Sequence, residues 1–401
     1  MNKRLIFWLI SGCLLYVAIE LSSFLGLYLL KTYRHVEYAP PPSISLSERH
    51  QQIIEGFLQE RTRYTDYSAT LGWTIKKNGI APLYRANSQG IRGNHKYARQ
   101  APEDMIRIST YGDSYTHCDD VANHETWQVQ LQQLNPDLEV LNFGVGGFGL
   151  DQAFLRYQEK IGQFDSQIVL IGYMTENIFR HVNVFRPFYL SATGTPLTKP
   201  RFALRNEELI LIDNPMRQLS QYRELLESPE TTLPALGKHD HHFNTIYKSS
   251  MFDFLPSYRL LNILSYLYFN SRDVITDGYY NTKSEAYRVT TRLLDKFYQT
   301  VQADGSQPVI LIFPEPADII RYRENGTRQY APLVAYLDEK KYRYIDLLQA
   351  LDGIGGQLAT NKLFAKPSLN HYSPLANNLA AQIIQQYLRK EGLLPDRVGP
   401  R

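Results

Sequence analysis

From residue 105 onward, short apolar runs alternate with segments whose apolar residues recur at helical spacing. The runs are Met105–Ser109, Leu138–Phe143, Gln167–Tyr173, Pro308–Phe313 and Tyr344–Leu347. The first four are nearly continuous and rich in β-branched residues, the pattern of strands buried on both faces. Between them, Leu150, Phe154, Tyr157 and Ile161 share one helical stripe, as do Tyr287, Leu294, Phe297, Tyr298 and Val301. This alternation predicts an α/β fold with a central parallel sheet and helices on both faces. Ser373 as N-cap, Pro374 at the first helical position and Gly392 as stop mark a last helix, which leaves His371 in the loop before it. In open α/β sheets ligands bind beyond the carboxyl ends of the strands, where the loops 112–117, 144–149 and 174–180 are expected to converge.

A chain of 401 residues with 43% hydrophobic content has ample material for one large domain with an insertion. The formal net charge is +3 and the basic residues are spread out, so the electrostatic footprint of a nucleic-acid binder is missing and no nucleic-acid partner is expected. Cysteines occur only at 13 and 118, which excludes a disulfide framework.

Residues 5–30 are almost wholly apolar, flanked by Lys3 and Arg4 on one side and Lys31 and Arg34 on the other. At about 1.5 Å of rise per residue such a helix crosses a hydrocarbon core of roughly 30 Å. The run is longer than the core of a cleaved signal peptide. Glu20 is its one acid, and a carboxylate at that depth costs a few kcal/mol unless protonated or paired. The short tail 1–4 with its two cations favours a tail inside and a bulk outside, a single-pass membrane protein with an extracytoplasmic domain. The organisation expected is then a tail at 1–4, a signal-anchor helix at 5–30, a Pro-containing spacer at 31–60 built around Pro40-Pro41-Pro42, an α/β domain from 61–185 and 283–392, an inserted cap at 186–282 with a Tyr/Leu-rich helix over Pro256 to Phe269, and a tail at 393–401.

Tyr111-Gly112-Asp113-Ser114 ends the first apolar run and opens a helical stretch, which presents one serine at a strand-to-helix turn. A serine hydroxyl is a weak nucleophile until a base takes its proton and donors hold the oxyanion formed on attack. Ser114 is the candidate nucleophile and His371 the candidate base. The backbone N–H groups of Ser114 and Gly147 and the side-chain amide of Asn177 are the candidate oxyanion donors. No metal or other cofactor is expected, because His239-Asp240-His241-His242 reads as a solvated loop without a second ligand cluster. Arg180, Asn183 and Arg186 are equally open to binding an anionic substrate group or forming surface ion pairs.

Four blocks in order, Gly112-Asp113-Ser114, Asn142-Phe-Gly-Val-Gly-Gly147, Gly172-Tyr-Met-Thr-Glu-Asn177 and His371-Tyr-Ser-Pro374, resemble those of the SGNH (GDSL-type) hydrolase family over about 105–185 and 306–390. The resemblance implies a flavodoxin-like three-layer sandwich and serine chemistry on an ester. Membrane-anchored members of that family include polysaccharide O-acetyltransferases and acetylesterases. It therefore implies a membrane-anchored esterase or acyltransferase acting on an ester, O-acetyl above all, of a cell-envelope glycan or lipid. The alternative is a non-catalytic glycan-binding or scaffolding protein with a degenerate site.

Three departures from the family pattern bear on the site. The aspartate usual two or three residues before the histidine is replaced by Leu369 and Ser368. Losing that orienter is worth on the order of 10⁴ in turnover in chymotrypsin-type triads, so a weakened triad or a Ser–His dyad is expected, with Asn370 or Ser368 as the group that orients His371. The third block reads Glu176-Asn177 where Asn-Asp is usual; Asn177 is taken as the donor, with Glu176 turned toward Arg180 at i+4. Cys118 stands where a glycine is common.

Overall fold

The structure, a computed structural model, describes residues 3–34, 46–190, 192–246, 250–265, 271–355 and 358–395. Five parallel strands form the central sheet: β1 (Ile106–Tyr111), β2 (Leu138–Asn142), β3 (Ile168–Met174), β4 (Gln307–Phe313) and β5 (Tyr344–Asp346), in the spatial order β5-β4-β3-β1-β2. Each coincides with one of the expected runs. The register sets Ile108 beside Ile168 and Tyr111 beside Ile171 across β1 and β3, and Gln307 beside Ile168 through Phe313 beside Met174 across β4 and β3. This is the doubly wound order in which the chain reverses direction between β1 and β3, and ligands sit at such a switch point.

Helices Leu150–Lys160 and Glu285–Ala303 pack on one another and on the sheet. Their stripes meet in an aromatic layer in which Tyr111 stacks on Phe143 and Phe297 packs against Phe154 and Tyr157. A second group, Trp127–Leu134, Leu347–Gly355 and Pro374–Lys390, packs together and on β2 and β4. Burying a Leu or Phe fully is worth about 1.5–3 kcal/mol, so these stripes tie the helices to the sheet. Ser373 caps the last helix by accepting from the Ala376 N–H at 3.3 Å.

The expected spacer and insertion boundaries are not where packing divides the molecule. Residues 35–45, with the proline tract, lie outside the described residues. Inside the expected spacer, however, Glu48–Leu58 is a helix capped by Ser47, and it buries Ile54 and Phe57. Its apolar face joins Trp73, Val145, Phe148, Phe185, Phe188, Tyr222 and Phe243 in a second hydrophobic cluster beside the sheet's own core. Segments before β1 and after β3 thus share one core, which the amphipathic spacing of Ile53, Ile54 and Phe57 behind a serine cap already announces. The region 186–282 carries the antiparallel pair Arg201–Arg205 and Glu208–Ile212 and several short helices. Within it Asp240 and His242 are buried. The expectation of a solvated histidine loop holds for His239, which is exposed, and is corrected for Asp240 and His242: Asp240 accepts from the N–H groups of Val184 and Phe243 and from the Asn183 amide. A buried carboxylate needs such donors, and here it splices two loops.

Candidate active site

The turns that follow β1 and β3 meet at the switch point. In the first, Asp113 caps the short helix Ser114–His117: its Oδ1 accepts from the Tyr115 N–H at 2.8 Å, and its Oδ2 accepts from the Asn177 amide at 2.7 Å and the Met174 N–H at 3.3 Å. One buried carboxylate thereby locks the Ser114 turn to the β3 turn. Ser114 and His371 face the same cavity of about 620 Å³.

The group on His371 is neither Asn370 nor Ser368. His371 Nδ1 lies 2.8 Å from Asp120 Oδ2, and the Ser368 hydroxyl donates to that same oxygen at 2.6 Å. The Asn370 carbonyl instead accepts from the Tyr115 hydroxyl at 2.6 Å. The expected dyad is corrected accordingly: a carboxylate does sit on the imidazole, six residues after the serine instead of beside the histidine. A carboxylate on Nδ1 holds the ring in the tautomer that leaves Nε2 to accept a proton. Burial alone would lower the His371 imidazole, but the hydrogen bond to Asp120 and the charges of Asp119, Asp120 and Asp113 outweigh it and raise it above its ordinary value. The same hydrogen bond, with that of Ser368, holds the Asp120 carboxyl below its ordinary value against the pull of its partial burial.

The loop that carries Asp120 is held from below. Buried Arg92 donates to the carbonyls of Cys118 at 2.8 Å and Val121 at 2.6 Å and also to that of His117. Cys118 and Asp120 both adopt left-handed backbone, with φ of 64° and 70°. That accounts for the glycine usual at position 118, since only glycine adopts this region without steric cost. Gly144 comes so close to this loop that a Cβ there would lie 2.3 Å from the His117 nitrogen.

Of the expected oxyanion donors, Ser114 and Gly147 border the cavity. Gly147 has φ of 81°, and its carbonyl accepts from Arg186 at 3.0 Å. Asn177 does not border the cavity; it is fully buried, and its amide nitrogen donates to Asp113. Glu176 borders the cavity in its place. The one-residue shift arises because Asn177 opens the helix Asn177–Arg180 and turns under the strand tips. As the i+4 spacing predicts, Glu176 pairs with Arg180, and it also accepts from the Tyr189 hydroxyl at 2.6 Å. Both oxygens are engaged, which tempers the repulsion a bare carboxylate would exert on a developing oxyanion. Asn183 donates to Phe185 and Asp240 and lies off the cavity, whereas Arg186 borders it.

Four groups on the cavity wall, Tyr64, His117, Asp119 and Glu315, went unread in the sequence. Glu315, at the end of β4, is pushed up to about 8 by burial and by Glu176 and Asp318, so its carboxyl holds a proton near neutrality. His117 bonds Asp119 through Nδ1 and meets the Tyr64 hydroxyl at 2.6 Å through Nε2. Burial and the neighbouring Arg92 guanidinium bring this imidazole down to about 4. It is therefore neutral, donating to Asp119 and accepting from Tyr64. No spacing rule marks these residues; only their convergence does.

No protein-family model matches the chain, and no curated protein matches it. Among solved structures, it is similar to a member of the lipolytic protein G-D-S-L family from Veillonella parvula at 13% identity, covering 70% of this chain and 97% of that one, with a TM-score of 0.36. It is also similar to a lipase/acylhydrolase from Enterococcus faecalis at 11% identity, covering 72% and 97%, TM-score 0.36. An acetyl xylan esterase from Geobacillus stearothermophilus matches at 12% identity, covering 73% and 97%, TM-score 0.36.

Proposed function

We propose that this chain is a membrane-anchored serine esterase or acyltransferase whose domain faces the extracytoplasmic side and acts on an ester, O-acetyl above all, of a cell-envelope glycan or lipid. The observation that carries the chemistry is the Asp120 carboxylate 2.8 Å from His371 Nδ1, with His371 and Ser114 on one cavity. The anchor reading rests on the helix Lys3–Arg34, whose window of mean hydropathy 2.0 has none of its residues buried in the protein.

In this reading Ser114 Oγ attacks the ester carbonyl carbon while His371 Nε2 takes the hydroxyl proton. The oxyanion is held by the Ser114 and Gly147 N–H groups. As the carbonyl re-forms, the ester C–O bond breaks and His371 returns the proton to the leaving alcohol. Water, or a sugar hydroxyl in a transferase, then attacks the acyl-serine and gives its proton to His371; the acyl–Oγ bond breaks, His371 returns the proton to Ser114 Oγ, and the carboxylic acid or the new ester leaves. Asp120 steadies the imidazolium formed at each step. Asp120 on His371 supports this reading over a non-catalytic scaffold, for which the acid absent from positions 368 and 369 speaks.

A fluorophosphonate probe tests the proposal. Wild-type protein is expected to be labelled and Ser114→Ala protein not; an unlabelled, well-folded wild type would sink it. Acetate release with and without a glycan acceptor then separates hydrolase from transferase. Protease digestion of intact and permeabilised cells reads the side of the membrane.

A further inference from the structure

Glu20 is the one acid within the apolar run 5–30, and the structure gives it partners from far along the chain. Its Oε2 accepts from the Ser257 N–H at 2.9 Å and its Oε1 from the Ser257 hydroxyl at 2.6 Å. Ser257 lies in the first turn of the helix Pro256–Ser265, whose N–H groups and dipole favour an anion. That helix packs along Lys3–Arg34. A side chain at Gly26 would meet Leu260 Cδ2 at 3.1 Å, so this glycine admits the neighbouring helix closely.

We infer that residues 250–265 enter the same bilayer as the N-terminal helix, as a re-entrant turn and short helix fastened to it by Glu20. The inference rests on the proposed membrane span of Lys3–Arg34. Contacts at Glu20 with Ser257 and at Gly26 with Leu260 mean that both helices rise in the same direction. Glu20 lies two to three residues past the midpoint of the apolar run, about 4 Å along the axis. The turn before Pro256 therefore lies near mid-depth. From there a helix of ten residues rises about 15 Å, half the hydrocarbon thickness.

The surface of this segment suits lipid. Met251, Phe254 and Leu261 are 81%, 71% and 66% exposed, and Phe252 and Leu264 are exposed beside them. They continue the bare apolar surface of Phe24, Leu25 and Tyr28 on the N-terminal helix. Irregular backbone is tolerated at such depth only when its polar groups are satisfied within the protein. In the turn, the Ser250 N–H donates to Asp253 Oδ2 at 2.7 Å and the Phe252 N–H to Ser250 Oγ at 3.3 Å. The Asp253 and Leu255 N–H groups bond the carbonyls of Ser250 and Phe252, and Arg259 donates to the Asp253 carbonyl. Two attachments hold the α/β domain at one height and tilt against the membrane, which a lone helix on a spacer does not do.

The test is photo-crosslinking of the full-length protein in phosphatidylcholine nanodiscs carrying a diazirine near the acyl-chain terminus, read by peptide mass spectrometry. Lipid adducts are expected on peptides from 5–30 and also on 250–265. Adducts on 5–30 alone overturn the inference and leave the anchor standing. Adducts on neither overturn both. Crosslinks from 250–265 to a second copy of the chain, in place of lipid, also overturn it. Glu20→Ala is expected to lower adducts on 250–265 several-fold with those on 5–30 unchanged; unchanged adducts on both overturn the role given to Glu20.

Discussion

Two histidines border one cavity, each paired with an aspartate, His371 with Asp120 and His117 with Asp119, and their environments push the imidazoles in opposite directions. The His371 side chain is 22% exposed and is raised by three carboxylates, of which Asp120 also bonds it. The His117 side chain is 1% exposed, sits against Arg92, and is brought down to about 4. An imidazole that rises readily to imidazolium is suited to take the serine proton. One that stays neutral at the same pH is suited to hold a fixed hydrogen-bond pattern, here Tyr64 to His117 to Asp119. In the proposed reaction the same pair of residue types is thus sorted into base and strut by burial and by the sign of the nearest charge.

The sharpest way to break this division is to exchange which pair matters. His371→Ala is expected to cost roughly 10⁴–10⁶ in kcat on an acetyl ester, while His117→Gln keeps fluorophosphonate labelling of Ser114. A His117 variant as dead as the His371 variant, yet folded, would reverse the assignment. Next in size, Asp120→Asn is expected to lower kcat by roughly 10²–10⁴. It should also move the rising limb of the kcat/KM pH profile to lower pH, because Asp120 is the strongest of the groups that raise His371.

Stability against pH separates the pairs a second way. An unfolded histidine takes its proton near 6.5 whereas folded His117 resists down to about 4. Between those values the unfolded chain binds more protons, so stability falls as pH drops, by on the order of 2–3 kcal/mol. Chemical denaturation in detergent from pH 7 to 4 should show this as a difference between proteins: on lowering the pH, wild type should lose more stability, or gain less, than His117→Gln, by that amount. His371 has the opposite sign: its contribution is full below about 6.5 and is lost as pH rises through its raised folded value. Glu315 acts over a range that overlaps that of His117 and, like His371, with the opposite sign. Its unfolded carboxyl ionises near 4.5 and its folded one near 8, so the folded state holds the extra proton and stability falls as pH rises through that window, by at most about 1.4 kcal/mol per pH unit. Glu315→Gln should flatten the slope; a slope unchanged in the variant would assign it elsewhere. The smallest effect expected is from Tyr64→Phe, which removes the donor to His117 Nε2. It should cost about 1 kcal/mol of stability and less than about tenfold in kcat, measured by thermal melts and initial rates.

Much of the sheet and half of the site were legible before any coordinates. The five runs became β1 to β5 because continuous apolar segments of that length have few other ways to be buried. Ser114 and His371 were legible because each adjoins a helix start, a local signal. Asp120 was not, because its relation to His371 spans 251 residues and depends on two left-handed residues and on Arg92 beneath the loop. Asn177 was misplaced by one position for a similar reason: whether a residue faces a cavity or the strand tips depends on where the helix begins, and Asn177 begins one. Glu20 read as a blemish because the helix whose first turn it caps lies more than 200 residues away.

The sequence alone determined the layer architecture, the order of the strands along the chain, the apolar helix near the N-terminus, and the serine and histidine set in turns. These follow from periodicity and from capping residues, which act over a few positions. Only the tertiary structure decided which acid bonds His371, which of Glu176 and Asn177 meets the cavity, which imidazole is charged more readily, and which groups Glu20 meets. Each of those depends on distance and dielectric between groups far apart in the chain, and neither quantity is written in the order of the residues.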